Sequence, residues 1–514
     1  MRRVATFGAV LVALAVLYAA AWRTLPQASP AAAAPNATSM AGSTAVVNSV
    51  TRACPPPAPN TGEAHIAVIA VPRQATAPAG AAQLSAIPFA PTATPKASPS
   101  RTTAKATGKT AQAAGKTAGS GNSPRGAAAT DTVSTPGQLT VLAAPSATQY
   151  GATGISATGA MAQGFEAEET TSSGMGTVSC THPGADMWFI GAGTAAGAPV
   201  TRLYLMNPGT GAASAEVTML TDAGIQQGLN TAITIGPGQY IWENITQYTA
   251  GSVVLGLHVQ TSSGQVAAAV WQGQSGGSGG TWLPQASAPA TQVVIPGLTT
   301  ASSAARLFVV VPGSADAKVK VKALTAHGAF LPFGPTPEDA PAAASSSFAL
   351  SSLGASASAL VLTSNVPITA GIAVAGSGVG SFSAAAAPVT GQGVIAGNPV
   401  GGQSSVGLVL SAPDSAVSAT ITVLPEAGGR APAPRAVQVP SGSTVAVAVQ
   451  PPAGKQPFAI VVTPGDGSGP LYAARVVTSG GGLSGPVMSI LPVPSAATEI
   501  TLPPTRDSYL AIMP

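Results

Sequence analysis

Three stretches of the chain share one alternation of apolar and polar positions. RLYLMNPGTGAASAEVTMLTDAG runs from Arg202 to Gly224, RLFVVVPGSADAKVKVKALTAHG from Arg306 to Gly328, and VGLVLSAPDSAVSATITVLPEAG from Val406 to Gly428. Within each the period is two. Val217, Val321 and Ile421 align, then Met219, Ala323 and Val423, with Glu216, Lys320 and Thr420 and then Thr218, Lys322 and Thr422 between them. Such strands bury one face and wet the other. Each block is expected to form a pair of adjacent antiparallel strands, closed by turn residues at Asp222–Gly224, His327–Gly328 and Ala427–Gly428. Register is constrained, because a slip of one residue would bury Lys318, Lys320 and Lys322 together.

A second block keeps step with the first. HVQTSSGQVAAAV, LVLTSNVPITAGI and IVVTPGDGSGPLY place Thr261, Thr363 and Thr463 at intervals of 102 and 100 residues. Further strands are expected at Trp188–Ile190, Ile233–Ile235, Val253–Val259 and Val266–Trp271. Short strands, Gly/Pro turns and no helical period predict an all-β protein of three tandem antiparallel sandwiches of the immunoglobulin-like kind. A closed or propeller-like array of the repeats is the alternative. The modules are expected at 137–285, 286–390 and 391–485. Residues 486–514 form a terminal strand segment, in which SILPVP at Ser489–Pro494 resembles VVIPGL at Val293–Leu298 and adds a strand back onto the array.

The N-terminal part reads differently. Met1-Arg2-Arg3 precedes the charge-free run Val4–Trp22, which as a helix spans about 28 Å. Two arginines before the run orient it N-terminus inward and leave the bulk of the chain outside. Residues 1–23 are thus expected to be a cytoplasmic tip and transmembrane signal-anchor, and 24–44 a stalk. A signal peptide cleaved near Ala19–Ala21, giving a secreted chain, is the alternative. Residues 45–71 carry short strands, including HIAVIAV at His65–Val71. Residues 72–136 are rich in Pro, Ala, Thr and Lys and are expected to be disordered.

Composition narrows the function classes. Only 7% of the residues are charged, and the net charge of +4 rests on a basic low-complexity tract holding Lys96, Arg101, Lys105, Lys109, Lys116 and Arg125. This is no nucleic-acid footprint; a solvated linker is the plainer reading, and contact with anionic envelope polymer or lipid is the alternative. The cysteine count is two, Cys54 and Cys180, both beyond the anchor. One disulfide in an oxidising compartment is expected, a pair of free buried thiols being the alternative. Gly273–Gly277 and Gly276–Gly280 both fit G-x-S-x-G, but glycine frequency produces such overlapping matches, and the strand–turn–helix context is missing. His65, His182, His258 and His327 make no pair at metal-ligand spacing, so neither a metal nor a cofactor is expected. Glu166, Glu168 and Glu169 read as a charged surface loop. Trp188, Trp242, Trp271 and Trp282 crowd into the first repeat with Tyr204 and Tyr240. They read as core first and as a ligand-binding surface second.

CPPP at Cys54, MAQGFEAEE at 161–169, SCTHPGADMWFIGAG at Ser179–Gly193, RLYLMNP at 202–208 and the WLP at 282–284 resemble a family of exported actinobacterial proteins catalogued as a domain of unknown function. The resemblance implies an extracytoplasmic protein with one N-terminal span and supplies no catalytic residues. The resulting expectation is a non-catalytic, membrane-anchored binding or scaffold protein of the cell envelope. Its partners would be the cytoplasmic membrane and a cell-wall polymer or another envelope protein. The alternatives are an accessory subunit of a membrane glycosyltransferase making envelope glycan, and an unrecognised hydrolase.

Overall fold

The computed structural model describes residues 44–59, 64–73, 78–90, 131–144, 151–171, 176–196, 199–226, 229, 232–274, 279–298, 305–350, 358–374, 380–400, 404–453, 456–480 and 487–502. The run Val4–Trp22 lies outside them, and no described helix is long and apolar enough to cross a membrane. Strands make up most of what is described, as the period-two pattern requires, and the helical turns among the described residues are short. β1 (Thr44–Val46) pairs with a short strand near the other end of the chain, Glu499–Thr501, in a two-stranded sheet of their own. Residues 46–499 form one compact body of four sandwiches.

Module I consists of β2 (Ser49–Cys54), β3 (Ala64–Ala70), β4 (Ala82–Ile87), β5 (Asp131–Val133), β6 (Thr140–Ala143), β7 (Ala152–Thr158), β8 (Phe165–Thr171) and β9 (Val178–Ser179). Its sheets run β2-β7-β4-β5 and β6-β3-β8-β9. Module II has β10 (Asp186–Ala192), β11 (Pro199–Asn207), β12 (Ala213–Thr221), β13 (Gly224–Gln226), β14 (Ile233–Ile235), β15 (Gln239–Asn244), β16 (Val254–Ser263), β17 (Ala267–Gln274), β18 (Gly280–Leu283) and β19 (Gln285–Ala286). Here the sheets are β10-β16-β12-β13 and β15-β11-β17-β18, with β14 added on β12 and β19 on β10.

Module III follows with β20 (Ala290–Leu298), β21 (Ala305–Val311), β22 (Ala317–Thr325), β23 (Gly328–Phe330), β24 (Glu338–Ala340), β25 (Ala344–Leu350), β26 (Ser358–Val374) and β27 (Ser381–Ala384). The 17-residue β26 belongs to both of its sheets, pairing β20 and β22 with its first part and β21 and β27 with its last. Pro367, which has no N–H to give a ladder, sits where the strand changes sheets. Module IV has β28 (Gly393–Asn398), β29 (Ser404–Ala412), β30 (Val417–Pro425), β31 (Arg435–Val439), β32 (Ser443–Ala448), β33 (Phe458–Pro464), β34 (Tyr472–Ser479) and β35 (Val487–Pro492), in sheets β28-β33-β30-β31 and β32-β29-β34-β35.

Numbered within its module, every copy has the order 1-6-3-4 in one sheet and 5-2-7-8 in the other, with β26 serving as strands 6 and 7. The order differs from the ABED–CFG order of immunoglobulin domains. Three sandwiches fall where the repeats were read, and a fourth precedes them. Strands β6 to β9, expected in a module spanning 137–285, instead complete a sandwich begun by β2 to β5. The 72–136 tract carries β4 and β5, correcting its reading as wholly disordered; its segment 91–130 lies outside the described residues. β4 forms because Ala82, Leu84 and Ile87 bury themselves in a composition otherwise dominated by small residues.

The repeated blocks keep their faces but not their pairing. Val217, Val321 and Ile421 are buried, while Glu216, Lys320 and Thr420 are exposed. The two strands of each block, however, lie in opposite sheets: β11 pairs β15 and β17, whereas β12 pairs β13, β14 and β16. The Pro208–Ala212 connection arches across the sandwich, so that Leu203 and Leu205 meet Val217 and Met219 face to face in one core. Alternation states which side is apolar, not which strand is the neighbour. The turns are built as expected. Thr221 and Thr325 each hydrogen-bond the carbonyl of the glycine three residues on, Gly224 and Gly328, and both glycines take positive φ.

The modules close into a ring through apolar contacts. Module I meets II where Ile87 and Val178 pack on Tyr204, Met206 and Tyr240. Phe308, Val310 and Phe382 of module III join the core of II. Val409, Ala474 and Ile490 of IV join the core of III. Ala67, Ile69 and Leu139 of I pack on Val394, Ala396 and Val461 of IV, completing the circuit. β35, expected as a strand added back onto the array, is strand 8 of module IV. The return to the first module is made by the residues after it: Gly164 N–H donates to Ala497 O and Val47 N–H to Thr498 O, both at 3.0 Å.

Candidate functional site

Strand 8 of each module and the segment that follows it turn toward the centre of the ring. There they enclose a cavity of about 320 Å³, with walls from β9, β18, the residues after β27, and β35. Much of the lining is carbon, including Phe189, Ala268, Leu283, Ile490, Leu491 and Pro492, while Arg52, Glu166, His182, Trp282 and Gln285 bring polar atoms. Arg52 stands on β2 and Glu166 on β8, in opposite sheets of module I. Arg52 Nη2 lies 3.5 Å from Glu166 Oε2, too far for a good hydrogen bond, so the guanidinium acts through its charge. Burial pushes the Glu166 carboxyl up to about 7, against the pull of Arg52. Glu166 Oε2 and Trp282 Nε1 are both buried without a hydrogen-bond partner.

The acidic trio is no surface loop. Glu166, Glu168 and Glu169 are buried along β8, because that strand lies under its neighbours in the ring. Glu168 reaches into module IV: its Oε2 accepts from Gly397 N–H at 2.9 Å and lies 3.8 Å from Arg475 Nη1, which donates to Gly397 O at 2.6 Å. Burial raises the Glu168 carboxyl, with Arg475 and the Gly397 amide opposing. Glu169, across the ladder from Val178, is raised to about 8 by burial alone. Residue frequencies place charges outside, and the one hint of burial was FEAEETT, where Phe165 and Ala167 alternate with acids. Arg475, buried at 0% exposure, carried no signal.

The structure places Trp188, Trp242, Trp271 and Trp282 all on module II. Trp188 is buried and stacks on His258, with ring centroids 3.8 Å apart; His258 Nε2 lies 3.2 Å from Asp186 Oδ1. Burial lowers the His258 pKa and Asp186 counters it. Trp271 and Trp282 face each other across β17 and β18, and Trp282 packs on Tyr204 at 5.6 Å. Arg202 lies over Trp242 at 5.1 Å and Trp271 at 5.8 Å. Trp242 is 38% exposed, while Trp188, Trp271 and Trp282 are buried. The aromatic excess of this module thus supplies the face on which module I docks, and Trp282 alone among the four reaches the cavity wall.

Cys54 and Cys180 form the disulfide, with Cα atoms 4.2 Å apart, in the core of module I. The serines of the G-x-S-x-G matches lie outside the described residues. Among the described residues, no three His, Cys, Asp or Glu side chains converge as metal ligands. A family model described as a family of unknown function (DUF5719) matches residues 138–450, more than half of the chain. The chain belongs to that family. The DUF5719 match opens just before β6, inside module I, and ends beyond β32 in module IV, so it takes in Glu166, Trp282 and the whole of modules II and III. No curated protein matches the chain.

Proposed function

We propose that this DUF5719 member is a membrane-anchored, extracytoplasmic protein of the cell envelope that works by binding rather than catalysis, with the cavity at the ring's centre as its ligand seat. The observation that carries this reading is convergence: strand 8, or the segment just after it, of all four modules meets at one cavity whose wall mixes carbon with polar side chains. Pockets bounded by several modules are where ligands are usually held. The Cys54–Cys180 bond fits an oxidising compartment, and the run Val4–Trp22 behind two arginines fits an anchor. Envelope polymer is the ligand class that this setting offers.

The test uses full-length protein in mild detergent. Thermal melting with solubilised envelope polysaccharide raises Tm, and the cavity-filling change Ala387→Trp, at an exposed residue of the wall, abolishes the rise while leaving the protein folded. A rise that survives Ala387→Trp places the ligand elsewhere and defeats the reading. Surface proteolysis of intact cells checks the setting, and protection of the chain from external protease would overturn it.

A further inference from the structure

We infer that the ring opens and shuts at one seam, the one between modules I and IV, with the Glu168–Arg475 pair as its latch. Opening there divides the central cavity, whose wall takes Arg52, Glu166 and β9 from module I and β35 from module IV. The ring's geometry alone carries this, whether or not the cavity holds a ligand. Consecutive modules are tied by short connections: β9 ends at Ser179 and β10 begins at Asp186, β19 ends at Ala286 and β20 begins at Ala290, and β27 ends at Ala384 and β28 begins at Gly393. Modules I and IV are the two ends of that series. Their seam can part without straining a connection.

The seams also differ in what fastens them. Tyr204 and Tyr240 fill the I–II seam, Phe308 and Phe382 the II–III seam, and Met488 and Ile490 the III–IV seam. At the I–IV seam half of the buried cluster is alanine and none of it is aromatic. Polar contacts do more there. Gly397 N–H donates to Glu168 Oε2 at 2.9 Å, Gln392 Nε2 to Val71 O at 2.7 Å, and Gly164 N–H to Ala497 O at 3.0 Å. Water can replace such bonds at small net cost, whereas it cannot replace apolar burial.

The pair itself points the same way. Arg475 stands opposite Leu408, the place that Val270 and Ile372 hold opposite Leu203 and Leu307 in modules II and III. An apolar side chain there serves a core. The arginine instead reaches Gly397 O, past a residue with no side chain to block it, and comes within 3.8 Å of Glu168. In the closed ring Arg475 Nε, Arg475 Nη2 and Glu168 Oε1 are buried without hydrogen-bond partners. Closure leaves them dry, and opening lets water reach them. The attraction holds the seam shut, and the desolvation keeps it from being permanent.

The experiment is thiol labelling of buried seam positions under native conditions, on the full-length protein in mild detergent. Val394→Cys probes the I–IV seam. Ala152→Cys, Ser345→Cys and Val409→Cys probe the I–II, II–III and III–IV seams. All four positions are buried, and each rate is divided by that of the same variant in denaturant. The ratio for Val394→Cys is expected to exceed the other three about tenfold or more. In an Arg475→Met background Glu168 loses its cation, and Val394→Cys labels several-fold faster. In Glu168→Gln/Arg475→Met both charges are gone while an acceptor for Gly397 N–H remains, and labelling falls several-fold below that in the parent. The other three ratios hold steady in both backgrounds, which also shows that the fold is kept. A ratio at Val394→Cys no higher than the rest overturns the seam. A high ratio that neither background shifts overturns the latch. Should Arg475→Met fail to fold, the double variant alone decides the latch.

Discussion

Glu169 is buried beside Glu168, and among the described residues it has no ion-pair partner. Its carboxyl is raised to about 8 and that of Glu166 to about 7, against ordinary values of 4.5. Both folded values exceed the unfolded ones, so the native state holds more protons between about pH 4.5 and 8, and stability falls as pH rises through that window. Melting followed from pH 5 to 9 should show this decline, worth roughly a few kcal/mol. Glu169→Gln should flatten it, and an unchanged slope in that variant would show that Glu169 titrates normally. At this scale the sequence was readable where a residue type has one use. The chain's two cysteines were expected to pair, and they do. It was unreadable where the use depends on neighbours: Glu168 is tolerated in the interior only because Arg475 and Gly397, more than 200 residues away, come to meet it.

Among elements, the alternation in β12, β22 and β30 named the buried face correctly, because period two is a local property. Partnership is not local. Nothing in Arg202–Gly224 distinguishes a hairpin within one sheet from an arch between two, and the structure chose the arch. Module I stayed hidden for a similar reason. The 40 residues 91–130 separate β4 from β5, and its strands share no block with the other three copies, although their order is the same. The turn into β8 shows how tightly the copies are fitted. Gly164 has φ +60°, and a Cβ there would come within 2.4 Å of Val71 O and 2.2 Å of Gln392 Nε2. Gly164→Ala should therefore cost roughly 2–4 kcal/mol, from left-handed strain and overpacking at the I–IV contact. Denaturant titration measures it, and a loss under about 0.5 kcal/mol would mean that the contact yields easily.

For the whole molecule, modules I and IV keep cores of their own, but an apolar cluster also joins every module to each of its two neighbours in the ring. Calorimetry should show one endotherm rather than four, since unfolding any copy strips the flank of two others. Separate transitions would mean that the ring contacts are weak. The Cys54–Cys180 bond closes 126 residues, and the double variant Cys54→Ala/Cys180→Ala should lose up to roughly 5 kcal/mol on the chain-entropy account. Matched denaturation of oxidised and variant protein gives that figure. The circuit has one further consequence. Val47 and Thr498 are joined by a hydrogen bond, as neighbours within a strand pair would be. The covalent order of the four copies is thus only one of several ways of cutting the same loop. A permutant in which a short peptide links Thr498 to Val47, with new ends opened at 287–289 between modules II and III, should fold to the same ring and keep the same central cavity.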